Sequence, residues 1–162
     1  MLNKALRLLL RLWRMVPVWA QFLAARVVRP RYRVGVAAVV LDGEGRLLLF
    51  HHTYRKLAWG LPAGGLEHGE DPAEAVRREF REETGLDIRV ERMLMAVSAE
   101  VGHHISLVYL CRMPEGEFHE SLEISEMKYF SPDDLPAMLL MEKRMIWKIM
   151  DTLKAEGGIE LA

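Results

Sequence analysis

Residues 64–86 read GGLEHGEDPAEAVRREFREETGL, and the second half of this stretch is a helix pattern. Asp71 followed by Pro72 makes a good helix start: the acid caps free N–H groups, and proline sits at the first helical position, where no N–H is needed. Glu74, three residues after Asp71, completes a capping-box spacing, and Gly85 is a C-terminal breaker. The pattern predicts a helix from Pro72 to Thr84 with Ala73, Val76 and Phe80 on its buried face. On that helix Glu79, Glu82 and Glu83 stand at i, i+3 and i+4, a spacing at which like charges repel and cost stability. Two accounts are open. The glutamates form a solvated face, or they bind a hard divalent cation that turns their repulsion into shared attraction. The turn ahead of the helix carries Gly64, Gly65 and Gly69, which let backbone approach a ligand closely, and a helix N-terminus favours anions. Glycine turn, helix start and acid cluster together suggest metal-assisted phosphate chemistry.

Outward from this stretch, strand and helix signals alternate. Arg33 to Leu41 is Val-rich and reads as a buried strand. Asp42-Gly43-Glu44-Gly45 reads as a turn with a strong Asp-Gly hairpin signal, and Arg46 to His51 as the returning strand. Residues 52–69 read as loop with a short apolar piece at 57–61. Strands are expected at 88–98, 104–112 and 126–130. Leu135 to Lys154 is a helical pattern with Leu139, Leu140, Met145, Ile146, Ile149 and Leu153 as core contacts. This order implies an α/β fold in which a mixed sheet lies between helices.

The chain has 162 residues, half of them apolar, enough for a real core. Its single cysteine, Cys111, excludes an internal disulfide and fits a reducing compartment; it reads as a small buried hydrophobe. The net charge of −1 hides an asymmetry. Residues 1–33 hold Lys4, Arg7, Arg11, Arg14, Arg26, Arg29, Arg31 and Arg33 and no acid, a charge of +8; the remaining 14 basic and 23 acidic residues give −9. Lys4, Arg7, Arg11 and Arg14 fall on one narrow arc of a helix, and Leu6, Leu8, Leu9, Leu10, Leu12, Trp13, Met15 and Val16 cover the rest. Pro17 bends or ends this helix, and residues 18–28 make a second piece. Met15 to Ala25, the longest uncharged run, is far short of a span. The chain thus divides into a basic amphipathic arm, 1–31, and a domain, 32–162. The arm packs on its own domain or a partner subunit, or lies on an anionic membrane. Nucleic acid is not expected as a partner.

Residues 64–86 also resemble the signature of the Nudix hydrolases: Gly64, Glu70, Arg78, Glu79, Phe80, Glu82, Glu83, Gly85 and Leu86 stand at its specified positions. Trp59-Gly60-Leu61-Pro62-Ala63 before the box and Tyr129-Phe130-Ser131-Pro132 near the end are similar to the family as well. The resemblance covers residues 33–155. It implies the Nudix fold, an α/β/α sandwich, and hydrolysis of a nucleoside diphosphate linked to another moiety, with Mg²⁺, or Mn²⁺ in its place, activating water. It assigns Glu79, Glu82 and Glu83 as metal ligands, one of them doubling as the base, and adds a ligand from the loop, Gly64 or the Ala63 carbonyl. Arg78 and Glu70 would orient the carboxylates through a salt bridge. A further acid is drawn from a later loop, Glu123 ahead of Glu126. Gly64, Gly65, Arg55 and Trp59 are the candidate substrate contacts, with Lys56, Tyr54 and Phe50 behind them. His51-His52 and His103-His104 read as surface or core imidazoles rather than as metal ligands.

Pro62-Ala63-Gly64 resembles the lead-in of members that hydrolyse ADP-sugars, although the proline those members carry beyond the box is absent, where Glu100-Val101-Gly102-His103 stands. ADP-ribose and other nucleotide sugars therefore lead, and nucleoside triphosphates follow. Two rivals are an isoprenyl diphosphate isomerase of this fold, for which Cys111 lies in no recognisable context, and a non-catalytic nucleotide-sugar sensor, which the complete box argues against. A cytoplasmic homodimer is expected, with peripheral contact to the inner face of the membrane through the arm.

Overall fold

The computed structural model describes residues 2–28, 31–98 and 102–156. Residues 99–101, within the stretch where the proline is missing, lie outside it, as do Arg29 and Pro30; the side chains of Lys4, Leu6, Leu8, Leu9 and Arg26 are likewise outside the description. The described chain forms two compact units, one up to Tyr32 and one from Arg33 onward.

The first unit is two helices, α1 (Leu2–Met15) and α2 (Val18–Val28). Pro17 separates them, since it cannot donate to α1 and sits comfortably at the start of α2. The Gln21 side chain then closes the joint by donating to the carbonyls of Trp13 and Val16, at 3.2 and 2.8 Å.

The second unit is built on β1 (Arg33–Val40). Such an unbroken apolar run suits a strand covered on both faces, and the alternation along it separates two cores. Val36, Ala38 and Val40 join one core with Ala75, Val76 and Phe80 of helix α3 (Pro72–Thr84). Ala37 and Val39 join the other with Ile146, Ile149 and Leu153 of helix α4 (Leu140–Ala155). The result is an α/β/α sandwich.

The strands form two sheets rather than one. With β2 (Leu47–His52), β3 (Trp59–Gly60), β4 (Ala63–Gly65), β5 (Asp87–Ser98), β6 (His104–Glu115) and β7 (Ile124–Phe130), the orders are β4-β1-β6-β5 and β3-β2-β7. β1 runs parallel to β6 and every other pair is antiparallel, so the first sheet is mixed. The turn after β1 is longer than Asp-Gly alone would make it. The Asp42 carboxylate accepts from the N–H groups of Glu44 and Arg46 and pairs with the Arg46 guanidinium, while the left-handed residue is Gly45 at φ +74°.

Three expectations are corrected. Helix α4 starts at Leu140, not Leu135, because the residue before Pro136 is pushed out of helical conformation. Leu139 and Leu140 are consequently exposed, whereas Ile146, Ile149 and Leu153 are buried. On α3 it is Ala75, with Val76 and Phe80, that is buried; Ala73 packs at the margin.

Candidate active site

Helix α3 delivers the acidic side chains, and its ends are fixed as its sequence requires. Asp71 accepts from the N–H groups of Ala73 and Glu74, and Gly85 closes the helix at φ +76°. Burying Phe80 against Phe50, ring centroids 5.1 Å apart, fixes the helix's rotation on the sheet; a side chain of this size is worth about 1.5–3 kcal/mol when fully buried.

That rotation separates the three box glutamates. Glu79 turns toward β4, where its carboxylate accepts from the Gly65 N–H at 3.0 Å. A β-carbon on Gly64 would lie 2.0 Å from the Glu79 carboxyl carbon, so only glycine fits there. Glu82 is largely exposed. Glu83, seven residues after Val76 and three after Phe80, shares the buried side of the helix and is only 7% exposed.

Arg78 is the hub of the cluster. It holds Glu70 with two hydrogen bonds, 2.8 and 3.0 Å, and also donates to Glu79 at 2.9 Å, Glu82 at 3.2 Å and the Gly65 carbonyl at 2.9 Å. The planar fork of arginine suits this many-sided grip. Its hydrogen bond pushes the Glu70 carboxyl below its ordinary value, and Glu70 raises the Arg78 guanidinium in turn.

Glu83 has the opposite environment. Burial, and then the charges of Glu79, Glu123 and Glu82, push its carboxyl up to about 8, opposed by Arg55. Its Oε2 is buried with no hydrogen-bond partner. Glu123, just ahead of β7, thus lies near enough to the box for its charge to repel that of Glu83. Its backbone carbonyl accepts from the Thr53 N–H at 2.9 Å, which ties the β2–β3 turn to the same place. Glu126 is instead opposite His51 in the β2–β7 ladder.

Among the described residues no three acidic, imidazole or thiol side chains converge closely enough to enclose an ion, since Arg78 engages Glu79 and Glu82. The donor set nevertheless fits a hard cation. It consists of carboxylate oxygens, and one of them is buried, crowded by like charge and unpartnered.

Other candidates settle as follows. Ala63 and Gly64 lie opposite Ala37 and Val36 on β1. Trp59 packs edge-on to Phe130, 4.8 Å between centroids, and to His51, 5.1 Å, and belongs to the α4-side core. Tyr54, not Trp59, is therefore the exposed ring beside Arg55, whose guanidinium lies over it at 5.4 Å. Cys111 is buried and its thiol is pushed up to about 12, which makes it inert. His51 bonds Ser125 at 2.8 Å, while His52 is buried with neither ring nitrogen partnered. No sequence pattern marks Glu142, on α4, which accepts from Arg55 at 3.3 Å. The two are 87 positions apart, so no local pattern links the pair.

The NUDIX domain family model matches residues 31–152. The chain belongs to the Nudix family. It is 30% identical over 128 residues to a MutT-like protein of Streptomyces ambofaciens, covering 79% of this chain and 81% of that one. It is 32% identical over 119 residues to an ADP-ribose pyrophosphatase of Methanocaldococcus jannaschii, covering 67% and 70%. Among solved structures, a MutT NUDIX hydrolase from Burkholderia pseudomallei superposes with a TM-score of 0.61 at 32% identity, over 74% of this chain and 98% of that one. The protein is accordingly a Nudix hydrolase, an enzyme of a family that in general depends on divalent metal.

Proposed function

We propose that this Nudix hydrolase is a Mg²⁺-dependent pyrophosphohydrolase, with Mn²⁺ as a substitute, that cleaves the diphosphate bond of ADP-ribose or a related nucleotide sugar. The observation that carries this reading is Glu83, a buried carboxylate with an unpartnered oxygen, pressed by three other carboxylates beside a glycine turn. Glu79, Glu82, Glu83, Glu123 and the Ala63 carbonyl would hold the metal. Once bound, it supplies charge that offsets the growing charge on the diphosphate and makes an attacking water more acidic.

The chain's own residues supply position and binding. Arg78, clamped by Glu70, aims Glu79 and Glu82 while neutralising part of their repulsion. Gly64 admits the Glu79 carboxyl and, with Gly65, brings backbone close to the phosphates. Arg55 takes a phosphate oxygen, and Tyr54 offers a face for the base. The Pro62-Ala63-Gly64 lead-in and the ADP-ribose pyrophosphatase relative favour nucleotide sugars. Nucleoside triphosphates are the second substrate class.

A panel of ADP-ribose, UDP-sugars and nucleoside triphosphates, each with Mg²⁺, tests the reading by product analysis. ADP-ribose should give AMP and ribose 5-phosphate, and Glu82→Gln should abolish most turnover. Faster release of pyrophosphate from a nucleoside triphosphate would reverse the order of substrates. No turnover of any compound would transfer the assignment to a nucleotide sensor.

A second reading concerns residues 1–31, which we infer rest on an anionic bilayer at the inner face of the membrane. Arg7, Arg11 and Arg14 share an arc of α1, while Leu10, Leu12, Trp13, Met15, Trp19 and Phe22 are exposed. No helix among the described residues is long and apolar enough to cross a membrane. Apolar face and acid-free basic stripe together suit a lipid surface. The full chain should sediment with phosphatidylserine vesicles and stay free of neutral ones, and Arg7→Gln, Arg11→Gln and Arg14→Gln together should release it. Equal binding to both vesicle types would leave the basic stripe without a role at the membrane, and a dimer with no vesicle binding would make the arm a subunit contact instead.

A further inference from the structure

Arg55 and Glu142 meet across the domain, from the β2–β3 turn and the first turn of α4. Both are mostly covered, with side chains 29% and 22% exposed. The pair is built into its surroundings. A β-carbon on Gly60 would come within 2.9 Å of Glu142 Oε2 and 3.2 Å of Arg55 Nη1, so the ion pair is seated directly against the glycine and a side chain there would push it aside. Oε2 is buried and has no hydrogen-bond partner, so Oε1 and its arginine are what the structure supplies to offset this carboxylate's burial. On its other side the guanidinium lies over the Tyr54 ring, with Nη2 3.4 Å from the phenol oxygen. The turn that carries it is anchored through Thr53, whose N–H reaches the Glu123 carbonyl and whose hydroxyl reaches the Leu122 carbonyl at 2.7 Å. Arg55 is therefore fixed at three points beside the Glu123 segment, whereas Arg78 is already engaged with Glu70, Glu79, Glu82 and the Gly65 carbonyl.

We propose that Glu142 is a positioning residue, acting through Arg55: it holds the guanidinium between Gly60 and Tyr54 so that it meets the substrate's diphosphate. The inference rests on the binding role given to Arg55 above, and it extends the site from the box and its loops to the C-terminal helix. An unheld arginine would lose rotamer entropy each time it bound a phosphate; one already fixed loses less.

The test is a double-mutant cycle on the full chain, read as binding of α,β-methylene ADP with Mg²⁺ by calorimetry. Arg55→Ala and Glu142→Ala should each weaken binding about tenfold, the scale of one charge-assisted hydrogen bond. The double variant should be no weaker than Arg55→Ala alone. Glu142→Gln, which keeps an acceptor for Nη1, should restore most of the affinity. A purely structural Glu142 would lower the melting temperature without this coupling. Unchanged binding in Glu142→Ala, or the same loss in both backgrounds, overturns the proposal. If the wild-type chain binds the analogue with the coupling but hydrolyses nothing in the panel, the hydrolase substrate assignment falls and the positioning role stands. If it hydrolyses and the coupling is absent, the reverse holds; if it does not bind the analogue, the positioning role falls.

Discussion

Gly64 and Glu79 compete for the same volume: a β-carbon on the glycine would stand 2.0 Å from the glutamate's carboxyl carbon and 2.2 Å from its Oε2. No rotamer relaxation of a few tenths of an ångström resolves such an overlap, so any side chain at 64 must displace the Glu79 carboxylate. Gly64→Ala is therefore expected to lower kcat by about 100-fold or more, since a misplacement of about 1 Å at the chemistry can cost that much. The melting temperature should change little, because Gly64 is on a short edge strand. Steady-state kinetics and a thermal melt check both halves. An active Gly64→Ala would mean that Glu79 does not need the place it occupies.

Glu83 makes a different kind of prediction, because its burial costs stability while its charge serves the site. Glu83 is 7% exposed and has an unpartnered oxygen. Above about pH 8, where this carboxyl is ionised, Glu83→Gln removes a buried charge and keeps the shape. The variant should lose at least about 100-fold in turnover and, in EDTA, melt a few degrees higher, the scale that about 1 kcal/mol produces in a domain of this size. Mg²⁺ should raise the wild-type melting temperature and leave that of Glu83→Gln nearly unmoved, as binding to the native state alone stabilises it. A variant less stable than the wild type in EDTA would show that Glu83 has a structural partner.

Arg78 tests whether the hub works through its shape or only through its charge. Arg78→Lys keeps the cation but cannot hold Glu70 with two bonds while also reaching Glu79, Glu82 and the Gly65 carbonyl. The expected result is a fall in kcat of about 10- to 100-fold with KM changed less, the signature of lost alignment rather than lost binding. A KM effect with kcat intact would place Arg78 on the substrate.

How much of this was legible beforehand depends on the range of the interaction. The bounds of α3 follow from Asp71, Pro72 and Gly85, each acting within one turn, and the sequence identifies them. The covered strand β1 follows from its unbroken apolar run. The different fates of Glu79, Glu82 and Glu83 do not, because their spacing places them on one side of a helix and says nothing about which of them faces the sheet. That depends on Phe80 meeting Phe50. Arg55 and Glu142 are a further step removed, joined only by the packing of α4 on the sheet. Leu139 and Leu140 fit the helical periodicity yet are exposed, because Pro136 breaks the helix that the periodicity extends through them. The division into two sheets has no sequence signature, since β1 in one and β2 in the other are covered strands of the same kind.

His52 supplies the last prediction, a pH dependence of stability. The ring is 1% exposed, neither nitrogen has a partner, and burial, then the charges of Arg55 and His51, depress it to about 4 from an ordinary 6.5. Above pH 6.5 the imidazole is neutral in the folded and unfolded chain alike, and it contributes no pH dependence. As pH falls below 6.5 the unfolded chain takes up a proton that the folded chain refuses until about pH 4, so stability is lost across that window. The loss amounts to about 3 kcal/mol when fully developed, at 1.36 kcal/mol per pH unit. Histidine 52 has its edge against Tyr54, centroids 5.6 Å apart, so His52→Leu gives up a ring contact of about 0.5–1.5 kcal/mol at pH 7.5. It should nevertheless be the more stable protein by pH 4.5, having no proton to take up. Urea unfolding of both proteins at pH 7.5, 6.0, 5.0 and 4.5 measures the crossover. Parallel pH profiles would show that the imidazole is accessible to water, or partnered, in the folded chain.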